Sequence, residues 1–321
     1  MAKNVPRRDF LKSTTVVAAG AAGLCARALL AGEAATAPSA VPGLPQRVLG
    51  KTGLNVSILG FGGAAGPVET STDKELVAKL LNTAADSGIN FFDTAANYGK
   101  DGLGEKNFGL IMCTPRRKDV VLATKCEERS YDGAMKQVET SLKRMKTDYI
   151  DLMQVHHVWT SDDVKTFGAK NGVLTALYEL RDQKVLRFIG MTGHPNYPQV
   201  KEALEMYDWD TFMGFVNPAN ASQPFFDVQL PIARKKKMGV IAMKVLGGEG
   251  APLVGTGPGK ADAARLLRFA WDSPIHTAVL GTGSLEQLGR NLPTARDYQP
   301  LTEEQRKTLM ETVNQGKPWP G

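Results

Sequence analysis

Four side chains carry most of the chemical content of this sequence: Asp93, Tyr98, Lys125 and His156. Asp93 closes the apolar run INFFD, and Tyr98 follows five residues later in TAANYG. Lys125 closes DVVLATK, and His156 closes YIDLMQVH with His157 directly after it. A tyrosine holds a donatable proton at neutral pH. A nearby ammonium favours the phenolate, and a carboxylate paired with that ammonium fixes its position. A histidine can orient the reacting oxygen by hydrogen bonding. Together these groups suit proton exchange with an oxygen as a carbonyl is reduced, or as an alcohol is oxidised. Taken singly, each has an ordinary reading: a capping Asp, a packing Tyr, a surface Lys, a satisfied core His.

The groups can meet only if the apolar runs are parallel strands that end on one rim. From Asn55 onward, strand-like runs fall at 56–61, 89–93, 119–125, 149–156, 186–192, 211–216, 239–244 and 276–281. Amphipathic helical patterns alternate with them, one entered through Thr72-Asp73-Lys74-Glu75, which has capping-box spacing, with Leu76, Val77, Leu80, Leu81 and Ala84 on its apolar face. Eight such units predict a (β/α)8 TIM barrel, whose chemistry gathers at the carboxyl ends of the strands. RVLGKTGLNVS predicts a β-hairpin ahead of the barrel, and the tail after Leu301 a C-terminal helix. Gly60 to Ala65 also fits the dinucleotide pattern GxGxxA, but Gly66 to Thr70 separates those glycines from the next helix, which argues against a Rossmann unit.

The chain of 321 residues has a formal charge of +6. Residues 1–37 hold Lys3, Arg7, Arg8, Lys12 and Arg27 against Asp9 and Glu33, so half of that charge is local. The remainder is too small to argue for nucleic acid. Arg234 to Lys237 precede a strand and read as a helix end, where cations complement the dipole. VPRRDFLK, a short Gly/Ala-rich apolar stretch and Ala35-Thr36-Ala37 resemble a twin-arginine export signal. The stretch is interrupted by Arg27 and makes a poor permanent membrane span. The expected organisation is a signal peptide at 1–37, a linker at 38–46 and one barrel domain at 47–321, with the product periplasmic or otherwise exported through the twin-arginine machinery. Cys113 and Cys126 flank a strand, too far apart to bond to each other, and are expected as free thiols. No set of residues is assigned as a metal site.

LGKTGLNVSILGFGG, FFDTAANYG, VVLATK, YIDLMQVHH, FIGMTGH and VLGTGSLEQLGRN, in that order, resemble the aldo-keto reductase family from about Arg47 to Asn291. The resemblance implies a nicotinamide cofactor and the tetrad Asp93, Tyr98, Lys125 and His156, with Tyr98 as general acid or base. It carries cofactor contacts to Gly62, Gly63, Thr192, Asn217, Met243 and Lys244, and to Gly281, Thr282, Gly283, Ser284, Gln287 and Asn291. It departs from the family pattern at Gly193, where an Asn is usual, at Met243, where an aromatic often stacks, and at Gln287, where an Arg often clamps a 2′-phosphate; Arg290 is a nearby substitute. NADP(H) is the cofactor the resemblance implies, with NAD(H) open. Trp159 and His157 are candidate walls of a pocket for a small carbonyl or alcohol substrate. Two other functions compete: a cofactor-holding, redox-sensing regulatory subunit with little turnover, and an unrelated barrel lyase or isomerase using Lys125 in a Schiff base.

Overall fold

The computed structural model describes residues 43–194, 197–248, 251–315 and 318–319. The expected signal peptide and most of the linker lie outside the described residues. Strands β1 (Gln46–Val48) and β2 (Asn55–Ser57) pair antiparallel, joined through a 3-10 turn at Gly50–Thr52. Eight parallel strands then close a barrel: β3 (Leu59–Gly62), β4 (Phe91–Asp93), β5 (Val121–Cys126), β6 (Ile150–Val155), β7 (Leu186–Thr192), β8 (Thr211–Phe215), β9 (Gly239–Met243) and, after a two-stranded hairpin of β10 (Gly247–Gly248) and β11 (Ala251–Pro252), β12 (Thr277–Gly281). A closed parallel barrel excludes the Rossmann reading.

Two expectations need correction. The run at 56–61 is not one strand: Ile58 breaks it, with its N–H given to Pro45 and its carbonyl taken by Ala278 N–H and the Trp271 indole. The first half therefore belongs to the hairpin and the second to the barrel. The helix Lys74–Asp86 is capped by Asp73 rather than Thr72, because one Asp73 oxygen accepts from both Glu75 and Leu76 N–H. On this helix Leu76 is exposed, while Val77, Leu80, Leu81 and Ala84 are buried.

The hairpin has a definite job. Leu49, Leu54 and Val56 pack with Phe91, Val121, Ala123, Leu152, Met213 and Ile241, and Lys51 N–H bonds Lys237 carbonyl just before β9 starts. The hairpin thus plugs the amino end of the barrel, and the opposite end carries the strand-end polar groups. Between strands and helices lies the main core, where Phe61, Phe92 and Phe108 stack and abut at centroid separations of 5.5–6.2 Å. Arg234 and Lys235 occupy the last turn of helix Leu230–Lys235, as their charge suggests. The C-terminal helix Glu303–Val313 has a full capping box at Thr302 and Gln305, and packs Leu309 and Val313 against Phe215, Leu253 and Phe269. Among the described residues, no helix is long and apolar enough to cross a membrane. Cys126 is a free, buried thiol whose proton is held up to about 12 by burial. Cys113 is disulfide-bonded, so the free-thiol expectation fails there; strand geometry spoke only to a bond between the two.

Candidate active site

Barrel register aligns the carboxyl ends that matter: Asp93 sits beside Ala123, and Lys125 beside Gln154. Lys125 Nζ donates to Asp93 Oδ2 at 2.6 Å, to Thr94 carbonyl at 2.7 Å and to Tyr98 OH at 3.1 Å. All three protons of the ammonium are therefore used. The other Asp93 oxygen accepts from Gln154 Nε2 at 3.0 Å. Asp93 and Lys125 are almost wholly buried.

For each partner, burial opposes the charge and the other partner supports it. Burial pushes the Asp93 carboxyl up, against Lys125 and the donors on its oxygens. Burial also works against the Lys125 charge, but Asp93 and Tyr98 outweigh it and hold the ammonium above its ordinary value. Geometry decides for the ionised pair: a protonated Asp93 would strand a buried cation whose other partners are neutral. Burial raises the Tyr98 phenol despite Lys125, so it keeps its proton through neutral pH.

Tyr98 is placed by a loop pinned from behind. Arg144 Nη1 donates to Ala96 carbonyl and to the buried Glu105, and Glu105 also accepts from Thr124. Two glycines let the loop come that close. At Gly99 (φ +70) a Cβ would lie 2.2 Å from Glu69 carbonyl oxygen, and at Gly102 (φ +68) 2.3 Å from the Arg144 guanidinium. Both positions need the left-handed region and an empty side.

The histidine is oriented by a residue that sequence reading missed. Glu127 Oε1 lies 3.1 Å from His156 Nδ1 and accepts from Asn97 at 2.5 Å. A carboxylate only accepts, so Nδ1 carries the proton and Nε2 presents a lone pair. Burial, with Lys125 next, depresses the His156 imidazolium strongly, and the ring is neutral. In this tautomer His156 accepts from a hydroxyl instead of donating to a carbonyl oxygen. The Tyr98 and His156 ring centroids are 6.2 Å apart. His157 stacks on His156 at 3.7 Å, with Trp159 5.1 Å and His194 4.1 Å from His157. Trp159 is 56% exposed at the lip of this cluster.

The other anticipated residues divide. Thr192 is buried and its hydroxyl accepts from His157 N–H. Gly193 has no room for an Asn side chain, because a Cβ there would approach the Phe212 ring to 2.8 Å. Asn217 donates one amide N–H to Lys244 carbonyl and accepts from Ala219 N–H and Ser222 hydroxyl, which leaves its second N–H for a ligand. Met243 is a half-buried packing residue and Lys244 follows it at φ +57. Gly62 and Gly63 end β3 against Leu280 carbonyl and Thr94. At the β12 end, Gly281 and Thr282 lead into Ser284, which caps helix Leu285–Arg296. Gln287 Oε1 accepts from Gly283 N–H at 2.7 Å, and Asn291 lies one turn on. Arg290 pairs with Glu286. Gln154 carried one faint signal, a lone polar residue near the end of an apolar strand; Glu127, in a run of charges, carried none.

The sequence profile of the aldo/keto reductase family matches residues 58–252. L-galactose dehydrogenase from Arabidopsis thaliana is 30% identical over 226 residues, covering 64% of this chain and 68% of that protein. D-threo-aldose 1-dehydrogenase from a Pseudomonas species is 25% identical over 263 residues, covering 71% and 78%. The holo structure of an aldo-keto reductase from Bacillus halodurans superposes with a TM-score of 0.70 at 22% identity, over 85% of this chain and 98% of that one.

Proposed function

The chain belongs to the aldo/keto reductase family of oxidoreductases, and on that premise we propose that it interconverts a carbonyl and an alcohol with Tyr98 as the proton-exchanging group. The single observation that carries this reading is the buried Asp93–Lys125–Tyr98 chain of hydrogen bonds. A nicotinamide cofactor supplies or takes the hydride when bound. Tyr98 gives its proton to the oxygen of an accepted carbonyl, or receives the proton of an alcohol. Lys125 lowers the cost of the phenolate, and Asp93 with Gln154 keeps Lys125 in place. His156, with its Nε2 lone pair, accepts from a substrate hydroxyl and so favours alcohols or hydroxylated carbonyls. The names of the two relatives, both sugar dehydrogenases, support a polyhydroxylated substrate of this kind.

The β12 end fits a dinucleotide phosphate: a twelve-residue helix begins at Ser284 with glycines before it. The two residues there that could meet an extra phosphate are both engaged within the chain. Gln287 is turned back on Gly283, and Arg290 is bound to Glu286. These residues favour NAD(H), although the family resemblance alone points to NADP(H). Gln287→Arg is expected to tighten NADPH binding about tenfold, as a charged hydrogen bond to the extra phosphate should, with NADH little changed. Fluorescence titration of both cofactors checks it; equal effects on the two would remove the argument.

The activity test offers NAD+ or NADP+ with a panel of aldoses, and the reduced cofactors with the matching aldehydes, following nicotinamide absorbance. Turnover lost in Tyr98→Phe supports the reading. Turnover that does not depend on Tyr98 overturns it.

The first 37 residues support export of the folded, cofactor-loaded chain. Arg7→Lys with Arg8→Lys is expected to hold the protein inside the cell, read by fractionation. Continued export of that variant would end the twin-arginine proposal.

A further inference from the structure

Three of the four histidines in the chain meet at one place. One nitrogen each from His156, His157 and His194 lie within 4.8 Å of one another. We propose that these three residues bind a divalent transition-metal ion of the Zn2+ or Cu2+ class, leaving a further coordination position for water.

The cluster comes from topology. β6 and β7 are hydrogen-bonded neighbours, so the loops that follow them share a stretch of rim, and His156 and His157 on one face His194 on the other. Imidazole is a common ligand for both ions, and three histidines with an open position form a known zinc geometry. Tetrahedral coordination at about 2.0 Å sets ligand nitrogens about 3.3 Å apart, so the observed spacing of up to 4.8 Å must close by ring rotation, with His156 and His157 turning out of their stacked arrangement.

Three features beyond proximity point to a ligand. Among the described residues, the buried His157 Nδ1 has no hydrogen-bond partner, a state that buried polar atoms rarely keep without an ion or water. His157 is also held in the left-handed region at φ +63. Its strain is sustained from several sides: Thr192 takes its N–H, and Arg129 Nη2 donates to the carbonyls of both His156 and His157. Finally, Glu127 on His156 Nδ1 is the carboxylate support typical of a metal-bound histidine, leaving Nε2 as the donor atom.

The charge around the cluster is mixed. Lys125 is neutralised by Asp93 and Arg129 by Asp163, and the Glu127 carboxylate stands beside the rings. Lys244 is a further cation acting on His157 and His194, and a bound ion must share the site with it. Packing alone accounts for stacked neutral rings. It leaves the orphaned Nδ1 and the supported backbone strain without a purpose.

The ion would take the same His156 lone pair that the substrate hydroxyl needs, so metal and substrate exclude each other at that atom. The binding test does not depend on turnover, and an inactive enzyme would leave it intact. The full chain, cleared of metal by chelation, is titrated with Co2+, and its visible d–d bands report coordination; Zn2+ then displaces the Co2+. One tightly bound ion per chain is expected. His194→Ala and His157→Asn, the latter chosen because Asn tolerates a left-handed backbone, are each expected to lose at least about tenfold in affinity. Glu127→Gln should lose about 10–100-fold, the usual effect of removing such support. Circular dichroism verifies that each variant is folded. Absence of four- or five-coordinate Co2+ bands in the parent overturns the proposal. So does affinity unchanged in folded His157→Asn and His194→Ala, which would put the ion elsewhere.

Discussion

Tyr98→Phe is expected to lower kcat for hydride transfer by about 10²–10⁴-fold, the usual contribution of a positioned proton donor or acceptor. Cofactor affinity should stay close to that of the parent. The ring remains to fill its place beside Lys125, and only the hydroxyl that receives the 3.1 Å hydrogen bond disappears. Loss of kcat with little change in binding marks an interaction made in the transition state. The pH profile supplies a second readout. Carbonyl reduction needs the protonated phenol, so its rate is present below the Tyr98 pKa and falls above it. Burial raises that pKa, which extends the active range through neutral pH. Alcohol oxidation has the opposite sign and rises as the proton leaves. Lys125 pulls the Tyr98 value down, so Lys125→Met should move both pH edges upward. A Tyr98→Phe enzyme within about threefold of parent kcat would remove Tyr98 from the proton path.

The residues that carry this chemistry were legible because each breaks a local pattern. A lysine ending VVLATK and an aspartate ending INFFD sit where a buried strand should not tolerate lone charges, and the repeat of eight strands brings them to one rim. Their mutual burial at 2.6 Å explains why both can be there. Other parts were hidden for physical reasons. Ile58 looks like the middle of a strand, and only the tertiary bonds to Pro45, Ala278 and Trp271 divide the run. Glu127 lies in CEERS, where local sequence cannot distinguish a solvated acid from one that fixes a histidine tautomer. Asn217 stands at the expected place in the order of motifs, and its amide also ties its own loop to the residue after β9, a structural role that the order of motifs does not reveal. The histidine cluster needed the pairing of β6 with β7, because His194 is distant in sequence from His156 and His157.

Asp93→Asn should destabilise the fold by about 3–5 kcal/mol, the range for breaking a buried ion pair from one side. The variant keeps the shape of the side chain and an oxygen for Gln154, but leaves the Lys125 charge with Thr94 carbonyl, the Tyr98 hydroxyl and a neutral amide. Lys125→Met makes the complementary error and buries an unpaired carboxylate, so its cost should be similar. The double variant has neither charge. It should therefore lie well above the sum of the two single losses in stability, because an uncharged core often replaces a buried ion pair at little net cost. Urea unfolding of the four proteins measures the coupling directly. Simple additivity would mean that the two charges do not sense each other, against the 2.6 Å contact. Activity separates the pair's second role from its first. The double variant should recover stability while remaining catalytically impaired, because nothing then eases formation of the Tyr98 phenolate. A barrel does not require this ion pair to close; the pair is retained because a charge beside Tyr98 is useful only where water is excluded, and there it must bring its own counter-ion.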